Sequence, residues 1–175
     1  ATFLGRVLPR MWGLRLADGL GTLLAKQEEH LMVKAARANQ YVIHGRTLSS
    51  EELTLQVNAV FQSAARCLFD YFYFLSRPKK LKEIVSFSPA AQRAFDRIRQ
   101  NQPCVFVCPH LSNFDVMGYA LSLNGLDVQV LSFPNPSTAY RLQNQIRESI
   151  GMNVTPMDLN AFRQARTRLQ AGGSI

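Results

Sequence analysis

Apolar positions divide the chain into a stretch of helical spacing followed by a stretch in which short apolar runs alternate with helices. Between Leu4 and Leu24, residues such as Leu8, Met11, Trp12, Leu16, Leu20 and Leu23 recur at three- and four-residue intervals. This predicts an amphipathic helix, interrupted at Pro9 because proline lacks a donor and crowds the preceding turn. The pattern continues over 27–38, and Asn39 to Arg46 read as a short loop. Ser49 followed by Glu52 is a capping box, in which each side chain satisfies a backbone donor at the other's position. The helix it starts carries Leu53, Val57, Val60, Phe61, Ala64, Leu68 and Phe72 on one face and ends before Pro78. Its aromatic end, Asp70 to Leu75, suits a core or a lipid-facing patch, and core is the preferred reading.

Beyond the basic turn Arg77 to Lys80 the pattern changes. Ser88 and Pro89 cap and open a helix with Phe95 and Ile98 inward. Residues 103–108 form a continuous β-branched apolar run, the mark of a strand buried on both faces of a parallel sheet. A helix over 113–123, a strand from Val128 to Phe133, a helix over 138–150, a strand from Met152 to Thr155 and a helix over 158–170 complete a βαβαβα order. The expected fold is therefore α/β: a helical N-terminal region, 1–87, followed by the first half of a mostly parallel α/β domain, 88–175. Gly172 and Gly173 read as a helix stop, and Ser174-Ile175 as the start of another strand, so the sheet is expected to continue past the sequence.

Composition narrows the class of partner. Twenty Lys and Arg against twelve Asp and Glu leave a net charge of +8, with 47% hydrophobic residues, which fits a folded domain with a polyanionic partner. The basic excess is spread through both halves, so neither is a basic tail. Three cysteines argue against a disulfide framework; Cys104 and Cys108 share a strand and are read as core rather than metal ligands. No apolar stretch reaches the ~18 residues needed to cross a bilayer. The basic amphipathic N-terminus instead suits either a membrane interface or a helix packed on the core.

Ligands collect at the carboxyl ends of strands in open parallel sheets, which points to the loop after 103–108. There His110 is followed at five residues by Asp115, in the first turn of the next helix. An aspartate that accepts from one imidazole nitrogen fixes the ring and leaves the other nitrogen to take a proton from a hydroxyl. The plain alternative is a loop histidine and a carboxylate stabilised by a helix N-terminus, with Ser112 or Asn113 as the cap. His30 and His44 have no acidic partner at a suggestive spacing and read as surface residues.

The segment His110-Leu111-Ser112-Asn113-Phe114-Asp115 resembles the His-x4-Asp motif of the glycerolipid acyltransferase superfamily. The surroundings are similar to the branch of the lipid A lauroyl/myristoyl and phosphatidylinositol mannoside acyltransferases. Arg37-Ala38-Asn39, Leu48 to Leu53 and the helix with Phe69 and Tyr71 carry that likeness, as do Pro134-Asn135-Pro136 and Arg147 followed by Gly151. It covers the chain from about residue 33 onward.

This resemblance implies transfer of a fatty acyl group from acyl-CoA or acyl carrier protein to a hydroxyl of a lipid or glycolipid. His110 would be the general base and Asp115 its orienter, with no acyl-enzyme and no metal or redox cofactor. Arg147 would meet a phosphate or a developing oxyanion; its plain alternative is a surface arginine at a helix C-terminus. Arg141 is a further phosphate candidate. Ser112 and Asn113 would shape the loop, Asn113 also donating near the acceptor. The resemblance implies a longer protein at a bacterial inner membrane, often with a membrane-spanning N-terminal helix. No such span is read here, and peripheral attachment of the basic amphipathic N-terminus to an anionic surface at the cytoplasmic face is the expected substitute. The competing class is a non-enzymatic basic module for an anionic partner, but no nucleic-acid motif or Gly-rich phosphate loop is present; an α/β hydrolase would need a Gly-x-Ser-x-Gly elbow, also absent.

Overall fold

The computed structural model describes residues 2–109, 111–135 and 137–175. The chain is a mixed α/β protein that divides into two compact units, Ala1–Ser76 with Leu111–Asn113 and Arg77–His110 with Phe114–Ile175.

The first unit is helical: α1 (Thr2–Val7), α2 (Arg10–Ala25), α3 (Leu31–Ile43) and α4 (Ser50–Leu75). The chain breaks at Pro9, which takes the N-cap position of α2. The α2 helix lies along α4 through its smallest residues. Gly13, Ala17 and Gly21 are buried, and a side chain at Gly21 would meet the backbone of Gln62 at 2.7 Å, while one at Gly13 would overlap the Phe69 ring. Small residues at four-residue spacing let two helix backbones approach closely. The charges that interrupt the N-terminal apolar run join the same two helices. Arg10 donates to both oxygens of Asp70 at 2.8 and 2.7 Å, and Arg66 pairs with both oxygens of Asp18.

The capping box is formed as expected: the Ser49 backbone N–H donates to Glu52 at 2.8 Å, and the Glu52 N–H donates to the Ser49 hydroxyl at 3.2 Å. Leu53, Val57 and Phe61 are buried, as are Tyr71, Tyr73 and Phe74 at the aromatic end, so that end is core. Leu68, expected inward, is half exposed. The expected helix over 27–38 is displaced toward the C-terminus. The chain turns at 26–30, the His30 imidazole caps α3 by accepting from the Met32 N–H at 3.2 Å, and the helix runs through the expected loop to Ile43. It stops where Gly45 takes φ +68°, a conformation glycine adopts without strain.

The second unit contains α5 (Pro78–Ile84), α6 (Pro89–Arg99), α7 (Phe114–Leu123), β1 (Gln129–Ser132), α8 (Thr138–Ser149), β2 (Asn153–Pro156) and α9 (Leu159–Gln170). The expected basic turn at 77–80 is instead the start of α5, with Pro78 in the first turn, where its missing donor is harmless. Leu81, Phe95, Tyr119 and Leu126 are buried, with Phe87 edge-on to Phe95 at 4.8 Å.

Strands β1 and β2 pair in parallel, Gln129 beside Asn153 through Ser132 beside Pro156. Val128 forms a parallel bridge with Ser174. Ile175 donates to the Cys104 carbonyl at 3.0 Å and accepts from the Phe106 N–H at 2.7 Å, the hydrogen-bond pattern of a parallel pair. Two of the three expected strands are thus regular elements. The third, 103–108, is not one, because among the described residues its backbone meets only Ser174 and Ile175. Val105 and Val107 are 62% and 90% exposed, so the expectation of burial on both faces is corrected. Cys108, read from sequence as core, is exposed as well.

Candidate active site

Helix α7 begins at Phe114 after Ser112, which has φ +51° and is exposed. The Asn113 amide donates to the Cys67 carbonyl at 3.1 Å, which fixes the loop at that residue. His110 lies outside the described residues. Asp115, in the first turn of α7, is nearly buried and fully engaged on one side. Its Oδ1 accepts from Arg147 Nε at 2.9 Å and from a terminal nitrogen of the same guanidinium at 2.6 Å, and its Oδ2 accepts from the Gln143 amide at 2.7 Å. Each carboxylate oxygen offers about two acceptor positions, so one on Oδ2 remains among the described residues.

Arg147 is 4% exposed, which removes the reading as a surface cation. Its other terminal nitrogen donates to Asn144 Oδ1 at 2.9 Å, and the Asn144 amide donates to the Ser132 hydroxyl at the end of β1 at 3.0 Å. The guanidinium carbon lies 5.4 Å from the Tyr140 ring centre and 5.8 Å from that of Phe114. Burial works against the charge on Arg147, but hydrogen bonds with Tyr140 and Asp115 outweigh it and raise the guanidinium further above its ordinary range. Burial likewise pushes the Tyr140 phenol up, yet its hydrogen bonds with Arg147 and Ser132 carry it below the usual value. A buried ion pair is stable only when such further bonds complete it.

One helix face supplies most of this arrangement. Tyr140, Gln143, Asn144 and Arg147 stand at i, i+3, i+4 and i+7 along α8 and so share a stripe. Sequence reasoning singled out Arg147 but missed the other three; that spacing of polar and aromatic residues was the available signal. Arg141, off the stripe, is exposed and its guanidinium makes no hydrogen bond among the described residues. The end of α8 is held by a Schellman turn: the Gly151 N–H donates to Glu148 at 3.0 Å, the Met152 N–H donates to Arg147 at 3.0 Å, and Gly151 has φ +86°.

Asp115, Tyr140 and Arg147 line a cavity of about 880 Å³. Its other walls are mainly apolar, among them Phe106, Met117, Leu121, Val128 and Met152. This volume lies within the range of ~300–1,000 Å³ usual for small-ligand sites, and an apolar chamber with a few convergent polar groups is their common form. A second cavity of about 330 Å³, lined by Lys82, Gln92 and Asn124 among others, contains none of these site residues.

A search of curated protein sequences finds no match. The family model for bacterial lipid A biosynthesis acyltransferases matches residues 1–175, and the chain belongs to that family of lipid-acylating enzymes.

Proposed function

We propose that this protein transfers a fatty acyl group from an acyl thioester, on CoA or acyl carrier protein, to a hydroxyl of a lipid A precursor or related glycolipid. The supporting observation is the apolar cavity with the Asp115–Arg147 pair at its wall: an acyl chain has a place to lie beside the motif that carries the chemistry. His110 takes the proton of the acceptor hydroxyl, the oxygen attacks the thioester carbonyl, and the carbon–sulfur bond breaks as the thiol leaves with a proton from the imidazolium. Asp115 orients the imidazole through the acceptor position left on Oδ2, while Arg147 and Gln143 hold the carboxylate still. The role of Arg147 in this scheme is to position Asp115; Arg141 is the exposed cation available to a phosphate. No metal or redox group enters. The test is transfer of a labelled acyl chain from both thioester donors to a lipid A precursor by the full-length protein. Absence of transfer from both donors would contradict the reading.

The protein works peripherally at the cytoplasmic face of the inner membrane, through α2. Among the described residues no helix is long and apolar enough to cross a membrane. Trp12, Leu16, Leu20 and Leu23 are all exposed, Trp12 by 62%, and at roughly 100° per residue they fall within about 80° of one another. Arg15 stands over the Trp12 ring at 5.4 Å and Lys26 follows the helix, an arrangement that suits anionic headgroups. Binding to anionic vesicles should weaken with salt and with Leu20→Ser; binding indifferent to both would exclude α2 as the contact.

A further inference from the structure

We infer that Met152, packed against Gly118, limits the length of acyl chain that the cavity accepts. The inference rests on the acyl-site reading above and adds which residues set its selectivity. Both residues line the cavity. Gly118 lies one turn along α7 from Asp115, about 4.5 Å by helix rise. A side-chain carbon at 118 would stand 2.8 Å from the Met152 methyl and 3.4 Å from its sulfur, so the thioether occupies the lane beside α7 at that level. Leu121, three residues farther along α7, and Leu126 also line the cavity.

The register fixes where Met152 starts from. Asn153 pairs with Gln129, which sets Met152 level with Val128 at the end of the ladder opposite Ser132, about 13 Å away at ~3.3 Å per residue. Ser132 is the end to which Asn144, and through it Arg147, is bonded. The Schellman turn then joins the two positions directly, since the Met152 N–H donates to the Arg147 carbonyl. The residue that holds Asp115 and the residue that narrows the lane are therefore set at a constant separation on one rigid turn, as a length gauge requires. Methionine is unbranched and adaptable, so its end can yield to a neighbour without disturbing the backbone.

This arrangement gives two substitutions with opposite effects. Met152→Ala opens the lane and should favour longer chains. Gly118→Ala pushes the thioether farther in and should favour shorter ones. The experiment offers the full-length protein a series from decanoyl to stearoyl, as thioesters for transfer and as free fatty acids for displacement of a fluorescent fatty acid. The expected result is a change of about tenfold or more in the long-to-short ratio, in opposite senses for the two variants, because a methylene or two in an apolar pocket commonly discriminates by that factor. A general loss of stability would move both variants the same way. Displacement profiles that match wild type in both variants, or a protein that binds none of the fatty acids, would overturn the inference. Shifted displacement with no transfer by any form would instead overturn the acyltransferase reading and leave the gauge standing.

Discussion

Helices α2 and α8 each reverse the ordinary rule of burial, and they do so in opposite ways. The α2 helix buries Gly13, Ala17 and Gly21 and shows Trp12, Leu16 and Leu20 to its surroundings. The α8 helix buries Asn144 and Arg147 and leaves Leu142 58% exposed. In α2 the apolar surface is kept outside because close backbone approach, rather than side-chain burial, makes the contact with α4. In α8 the charge is kept inside because Asp115, Asn144 and Tyr140 surround it with partners. A buried residue here reports what its helix packs against, and hydrophobicity alone would misassign both faces.

The contrast is broken most severely at Arg147. Arg147→Ala leaves Asp115 nearly buried without its cation, and loss of one partner of such a pair is expected to destabilise by about 3–5 kcal/mol, measured by denaturant unfolding. A change much below that range would mean the site is wetter than its burial indicates. Removing Asp115 as well should recover part of the loss, since the uncompensated charge then disappears.

On α2 the expected effects are smaller and depend on which side is changed. Gly21→Ala forces a carbon against the Gln62 backbone and should destabilise by about 1–3 kcal/mol. Gly19→Ala, two residues away, meets nothing within 4 Å and should stabilise by about 0.5–1 kcal/mol through helix propensity. Thermal melts of the two variants compare the faces of one helix directly, and equal effects would remove the claim that close packing holds α2 to α4.

The smallest effect concerns the exposed pair of Asp18 and Arg66. The hydrogen bond from Arg66 holds the Asp18 carboxyl below its ordinary value. A depressed carboxyl contributes stability above its unfolded value, about 3.9, and loses it as pH falls through the folded one. Unfolding followed between neutral and strongly acidic pH should show a slightly smaller loss in Asp18→Asn than in wild type, since only the Asp18 share is removed and the carboxyl of Glu52, also held low, still contributes.

Features set by neighbours in sequence were legible before the structure. The Ser49–Glu52 box, the Ser88-Pro89 start and the break at Pro9 involve contacts within a few residues, and each stands as read. His30 hid the start of α3 because imidazole is an uncommon cap. The exposure of Val105 and Val107 could not be read from an apolar run, since burial depends on what covers it. Asp115 was singled out by the His-x4-Asp motif and Arg147 by the likeness of its later surroundings, but their contact spans 32 residues, and the Gln143 contact 28. Spacing along the chain carries no signal for partners that distant; the stripe of Tyr140, Gln143, Asn144 and Arg147 on α8 was the local trace of it.

The central claim is that Asp115, held by Arg147, serves a histidine base beside an acyl cavity. The most direct test is acyl transfer to a lipid A precursor by full-length His110→Ala protein alongside wild type, with folding checked by circular dichroism. A general base contributes about 10²–10⁴ in rate, so turnover should fall by at least about a hundredfold with the fold unchanged. Undiminished transfer by the folded variant would contradict the account.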